Sequence, residues 1–208
     1  MELWPEYYLV SIRNALINAV KIRMTSDQPM CFLLSGGVDS SLVCAIAQSL
    51  SETPIHTFCC AIAEKGEKAN TNDIVNARKV SEFIGSIHVE VTFTAQEALV
   101  AIPEVIQNIG TYDITTIRAS TPMYLMCKYI RDNTQFKVVF SSDVSDEIHS
   151  GYLFNYELQK DYYIDVSSKM MVKNLHNYDV LRSDGCISQN GLESRIPFSD
   201  QDVIKSAW

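Results

Sequence analysis

Long apolar runs are missing from this 208-residue chain. No stretch approaches the ~20 consecutive apolar residues that crossing a bilayer takes. The opening Met-Glu-Leu-Trp-Pro-Glu has neither the basic start nor the apolar run of a secretory signal. Positive charge is scarce: 17 Lys and Arg against 25 Asp and Glu leave a net charge of −8, which argues against a nucleic-acid surface. The cysteines, at 31, 44, 59, 60, 127 and 186, form no C-x-x-C pair. They read as small buried hydrophobes in a reducing compartment, not as a disulfide frame or zinc site, so the expected location is the cytoplasm. His56, His88, His149 and His176 are scattered, which argues against a metal cluster built on them. Two common phosphate-binding signatures, G-x-x-x-x-G-K-[ST] and G-x-G-x-x-G, are absent, as are internal repeats.

What is present is the composition of an ordinary globule, 47% hydrophobic and 20% charged, of a length that suits one domain. The expected organisation is one unit over 1–208, with a leading helix in 1–29, a nucleotide-binding core over 30–150 and a helical C-terminal part over 151–208. The stretch that organises the rest is 30–41, Met-Cys-Phe-Leu-Leu-Ser-Gly-Gly-Val-Asp-Ser-Ser. Met30 to Leu34 is continuously apolar, Ser35 to Gly37 break the run, and Val38 to Leu50 has helical spacing, which reads as buried strand, tight turn and helix. Free amides and the positive dipole end at the start of a helix make an anion site. Ser35, Ser40 and Ser41 add hydroxyls. Asp39 repels phosphate unless a cation lies between, so the pattern suggests Mg²⁺ held against phosphate.

Around this stretch the periodicity predicts helices over 6–24, from Asn72 or Asp73 to Ile84, from Thr94 to Ile109 and from Thr121 onward. Pro103 predicts a kink or break near 102. A further helix is expected over 165–178 with Val166, Met170, Leu175 and Tyr178 buried. Strands are expected over 30–34, 54–60, 87–91 and 136–140, and loops over 61–69, 110–120 and 141–146. From Tyr178 the chain shows short turns and little periodicity. Strands alternating with helices imply a doubly wound, mostly parallel α/β sheet covered on both faces, with ligands beyond the carboxyl ends of its strands. The segments 35–39, 60–61 and 141–146 then converge, and Asp39 faces the acidic run Asp143, Asp146 and Glu147. Paired Asp39 and Asp146 suit Mg²⁺, which takes one or two carboxylates plus phosphate oxygens. The competing reading of the acidic run is a solvated turn capping a helix at 145–149.

Ser-Gly-Gly-Val-Asp-Ser resembles the pyrophosphate loop of the N-type ATP pyrophosphatases. Residues 112–126, Tyr-Asp-Ile-Thr-Thr-Ile-Arg-Ala-Ser-Thr-Pro-Met-Tyr-Leu-Met, and 191–200, Gly-Leu-Glu-Ser-Arg-Ile-Pro-Phe-Ser-Asp, resemble the synthetase domain of the glutamine-dependent asparagine synthetase family. The resemblance runs in family order from about residue 30 to residue 204. It implies an adenine nucleotide alpha hydrolase-like fold and a ligase that makes asparagine from aspartate, ATP and ammonia through β-aspartyl-AMP. It places Ser35, Gly36, Gly37, Asp39 and Ser40 on the pyrophosphate, and the backbone of Leu34 and Cys60 on the adenosine. Ser141 and Ser142 fall by the ribose and α-phosphate, and Asp39 and Asp146 on Mg²⁺. Thr115, Thr116 and Arg118 fall on the aspartate and ammonia side, and Asp143 by the acyl-adenylate. Asp179, Glu193 and Arg195 match positions that help to close the site.

The family loop reads Ser-Gly-Glu-Gly-Ser-Asp-Glu, and here Ser142, Asp143 and Val144 replace its Gly, Glu and Gly. His149 and Ser150 stand where the family has Phe and Gly. The family's glutaminase domain does not fit in the roughly thirty residues before the pyrophosphate loop, so ammonia is expected free or from a separate glutaminase. A family lysine that contacts pyrophosphate has no counterpart before Trp208. A homodimer is left open. Two alternatives stand beside the main reading: another adenylating ligase, such as a β-lactam synthetase, and a nucleotide-binding module without turnover.

Overall fold

A computed structural model describes residues 6–64, 69–158 and 161–208. Five strands carry the fold: β1 (Met30–Leu33), β2 (His56–Ile62), β3 (Ile87–Phe93), β4 (Val138–Phe140) and β5 (Glu193–Arg195). All pairings are parallel, in the order β3-β2-β1-β4-β5. The chain winds outward from β1 to β3, then crosses back to add β4 and β5 on the other side, so the order reverses between β1 and β4. Cys31 sits opposite Val139 and Phe32 opposite Phe140 across that junction.

The helices are α1 (Glu6–Arg23), α2 (Val38–Leu50), α3 (Asn72–Ile84), α4 (Ala95–Ile109), α5 (Ile114–Asn133), α6 (Ser145–His149), α7 (Asp161–Lys173), α8 (Asp179–Ser188) and α9 (Gln201–Ala207). They cover both sheet faces, because side chains of a strand alternate. Phe32, Val138 and Phe140 join Val20, Val43, Ile74 and Val203 from α1, α2, α3 and α9. Cys31, Phe58 and Val139 join Met126, Ile130 and Ile187 from α5 and α8. Phe32 and Phe140 stack at 4.6 Å between ring centroids, under the point where the strand order reverses.

The sequence reading of β1, α2 and α3 agrees closely with the structure, and several others are corrected. The cap of α3 is Thr71, whose hydroxyl accepts from the Ile74 amide, in place of Asn72 or Asp73. β2 lies two residues later than expected and takes in Ala61 and Ile62; of the predicted 61–69 loop, residues 65–68 lie outside the described residues. α4 starts at a capping box on Thr94 and Glu97 and runs through Pro103 without a break. Pro103 and Leu99 are both exposed, so the carbonyl that the proline leaves without an intrahelical donor lies on the solvent side.

Of the predicted 110–120 loop, residues 110–113 are non-helical and 114–120 are the first turns of α5. Asp113 caps it by accepting from the Thr116 amide at 2.7 Å, and Pro122 sits inside the helix. The hydroxyl residues there imitate a loop, but helix carbonyls can absorb their hydroxyls: Ser120 bonds back to the Thr116 carbonyl at 2.6 Å, and Thr121, expected to start the helix, bonds back to Ile117 at 2.8 Å. The expected 165–178 helix is α7, ending at Lys173, and Met170 and Tyr178 are exposed. The 178–208 tail is not irregular: it supplies α8, the edge strand β5 and α9.

Candidate functional site

At the carboxyl ends of β1 and β4, a cavity of about 780 Å³ opens where the strand order reverses. Ser35 and Asp39 after β1, and Ser142, Asp143, Asp146 and Glu147 after β4, line one side. Thr115, Thr116 and Arg118 on the first turns of α5 line another, and Tyr152, Asp179 and Arg182 complete it. A second cavity of about 230 Å³ lies alongside, apolar on Leu34, Phe58, Cys60, Met123 and Met126, and it shares Ser35, Ser142 and Asp143 with the first.

The β1 turn is set by sterics. Gly36 has φ +81°, and a Cβ there would lie 2.4 Å from the Ala77 backbone nitrogen and 2.6 Å from the Asn76 Cβ. Only glycine gives both the left-handed backbone and this approach to α3. Ser40 Oγ ties the turn together: the Ser35 amide donates to it at 3.2 Å, Ser35 Oγ is 3.0 Å away, and it donates to the Gly37 carbonyl at 3.3 Å. Gly37 caps α2 with no side-chain bond, which leaves that helix start open to a ligand. Leu34 is buried, and Cys60 lies within β2, not on a loop, with its thiol donating to the Pro122 carbonyl. Burial pushes that thiol up to about 12, so it packs and does not react.

The β4 loop carries the acids. Asp143 is held at both oxygens: Arg182 Nη2 donates to Oδ1 at 2.9 Å, and Ser141 Oγ donates to Oδ2. Asp146 sits above the usual carboxylate range, first because its surroundings displace water, then because Asp39 stands opposite. Gly151 leaves room for it, since a Cβ there would fall 2.0 Å from Asp146 Oδ1. Asp39 and Asp146, two hard oxygen donors that feel each other beside the open start of α2, fit Mg²⁺. No group of three or more His, Cys, Asp or Glu among the described residues is arranged to hold a metal, so a cation here would depend on substrate oxygens for most of its shell.

Behind the loop, the Tyr152 hydroxyl lies 2.6 Å from Glu147 Oε1 and 2.8 Å from Asp179 Oδ2. Its single proton cannot serve both, so one carboxyl of the pair is protonated. Glu147 is that group: burial drives it up to about 7, whereas the hydrogen bond from Glu147, and then Arg182 at 2.6 Å, outweigh burial and hold Asp179 below its ordinary value. The two arginines of the cavity differ. Arg182 is spent on two protein carboxylates, while exposed Arg118 has no ion pair among the described residues. Thr116 is spent on Asp113 at 2.8 Å, and Thr115 is exposed.

An asparagine synthase family model matches residues 11–163. Glutamine-hydrolysing asparagine synthetase of Mus musculus is 40% identical over 208 aligned positions, 96% of this chain and 36% of that protein. The Homo sapiens enzyme of that name gives the same identity and coverage. The chain belongs to the asparagine synthase family. It spans 36% of the length of these relatives. The solved structure of NMN synthetase from Francisella tularensis covers 99% of the chain at 15% identity and a TM-score of 0.42, a likeness too remote to add to the fold described above.

Within this asparagine synthase-family chain, the cavities gather the residues expected at the site. Ser35, Asp39, Thr115, Thr116, Arg118, Ser142, Asp143 and Asp146 share the larger one, while Leu34, Ser40, Cys60 and Ser141 line the smaller. Gly36, Gly37, Glu193 and Arg195 line neither; Arg195 bonds Glu193 at 2.7 Å and the Thr25 carbonyl at 2.8 Å. Arg182 was missed in the sequence. Its signal is the three-residue step from Asp179, which puts the two on one helix face, and it was hidden because α8 was read as turns. Val144 and Ser150 stand where the family pattern has glycine, and both keep a left-handed backbone, φ +79° and +57°.

Proposed function

We propose that this chain is the synthetase part of an ATP-dependent amide-forming ligase. The side-chain carboxylate of aspartate attacks the α-phosphorus of ATP, pyrophosphate leaves, and ammonia, free or from a separate glutaminase, displaces AMP from β-aspartyl-AMP to give asparagine. The observation that carries this reading is the meeting of the Ser35–Asp39 turn and the acidic β4 loop around one cavity at the strand reversal. The open start of α2, with Ser35, Gly36, Gly37 and Ser40, would cradle pyrophosphate, and the apolar cavity by Leu34 and Cys60 would take adenine. Ser141 and Ser142 would lie by the ribose and α-phosphate. Asp39 and Asp146 would hold Mg²⁺, which when bound offsets charge on the phosphate oxygens.

Arg118, unpaired among the described residues, would clamp aspartate with Thr115. Thr116 would act by fixing Asp113 and the helix start. Asp143 would meet the acyl-adenylate and the incoming ammonia, one oxygen passing from Ser141 to the substrate. Purified chain given aspartate, ATP, Mg²⁺ and ammonium is expected to yield AMP, pyrophosphate and asparagine in equal amounts. ADP as the nucleotide product contradicts the reading.

A nucleotide-binding module without turnover is the second reading. It is favoured by Asp143 having both oxygens engaged within the protein. Calorimetric ATP binding without aspartate-dependent pyrophosphate release would select it.

A further inference from the structure

We propose that Arg182 is a positioning residue that sets the wall of the cavity around Asp143 and does not itself bind substrate. This rests on the synthetase reading above. Among the described residues, Arg182 and Arg118 are the cations lining the cavity, against Asp39, Asp113, Asp143, Asp146, Glu147 and Asp179. Arg182 lies on α8 with its side chain 21% exposed, and each of its terminal nitrogens is engaged: Nη1 with Asp179 Oδ1 at 2.6 Å, Nη2 with Asp143 Oδ1 at 2.9 Å. With both terminal nitrogens taken by protein carboxylates, the end-on fork of the guanidinium is closed to a substrate carboxylate.

The bridge continues in both directions. Asp143 passes to Ser141 at the end of β4, and Asp179 passes through Tyr152 to Glu147 on α6. A single cation therefore ties the loop after β4, and the short α6 that follows it, to α8, with Arg182 thirty-nine residues on from Asp143. The need for it is electrostatic. Without Arg182, the Asp143 and Asp179 carboxylates lose the cation that bridges them, with both already acting on Asp146 close by. Mutual repulsion would push the Asp143 carboxylate out of its place, and reaction rates fall steeply with displacements of ~1 Å. The one-methylene reach of Asp143 makes it more dependent on this hold than a longer glutamate.

Arg182→Gln and Arg182→Lys in the full chain test the role by two readouts. With ATP, aspartate, Mg²⁺ and ammonium, Arg182→Gln is expected to lower kcat by about 100-fold with KM for ATP and aspartate nearly unchanged. Arg182→Lys, keeping the charge but not the fork, should recover about a tenth or more of the lost rate. A raised KM for aspartate with kcat preserved would mean that Arg182 binds substrate, and would overturn the proposal. Backbone amide exchange of the protein alone reads the same claim without turnover. Arg182→Gln should speed exchange over 143–149 and at Tyr152 by about ten-fold while Cys31–Leu33 and Val139–Phe140 keep the wild-type rate. If the Gln variant exchanges everywhere, Arg182→Lys carries this comparison. Unchanged exchange over 143–149 would overturn the positioning role. A wild-type chain that makes no AMP would count against the synthetase reading alone, since the exchange result still decides Arg182.

Discussion

Val144 carries a left-handed backbone under a side chain that is 1% exposed and packed into the core with Phe140 and Ile148. Burial of such a side chain contributes about 1.5–3 kcal/mol, and the unfavourable backbone costs on the order of 1–3 kcal/mol, so the two nearly offset. Val144→Ala loses the packing and keeps the strain; Val144→Gly loses both. Denaturant unfolding should therefore rank the Gly variant as stable as the Ala variant or more so, reversing the usual order. An Ala variant clearly more stable than the Gly variant would show that the backbone carries no strain. Glu147 offers a second residue-scale test. Its carboxyl is raised on folding, so the stability it contributes is full below about pH 4.5 and is lost as pH rises through about 7. Glu147→Gln, which keeps the hydrogen-bonding shape without the ionisation, should gain stability relative to wild type between pH 5 and pH 8. A difference that does not change with pH would mean that the proton is not held there.

At the scale of elements, α5 decides whether the side of the cavity proposed for aspartate exists. Thr115 and Arg118 are placed by the first turn of that helix, and Asp113 starts it by accepting from the Thr116 amide and hydroxyl. Asp113→Ala is expected to cost about 1 kcal/mol of stability and to raise KM for aspartate more than KM for ATP; equal effects on both would separate the cap from the site. The strand–turn–helix at 30–50 was legible in the sequence because apolar run, glycine break and helical period all agree there. α5 was misread for the opposite reason: Pro122 and a run of hydroxyl residues imitate a loop, and only contacts with α4 and α8 make the helix worth forming. α8 and β5 were illegible because β5 is three residues long and is held by pairing with β4, which no local pattern announces.

For the whole molecule, the proposed function rests on the reversal of strand order between β1 and β4, and the Phe32–Phe140 stack holds that junction. Phe140→Ala should cost about 3–5 kcal/mol, with nucleotide binding and stability lost together; loss of one without the other would detach the site from the core. The acids of the site were readable as residue types, but their pairing was not. Arg182 reaches Asp143 across thirty-nine positions of sequence, and the proton shared by Glu147 and Asp179 depends on burial that only the folded chain creates. The central claim is that the aspartate side chain attacks the α-phosphorus in this cavity. Aspartate labelled with ¹⁸O in its side-chain carboxylate, incubated with the chain, ATP, Mg²⁺ and ammonium, tests it most directly. One labelled oxygen per AMP phosphate is the expected result, whereas AMP formed without label, or ADP in its place, would contradict the account.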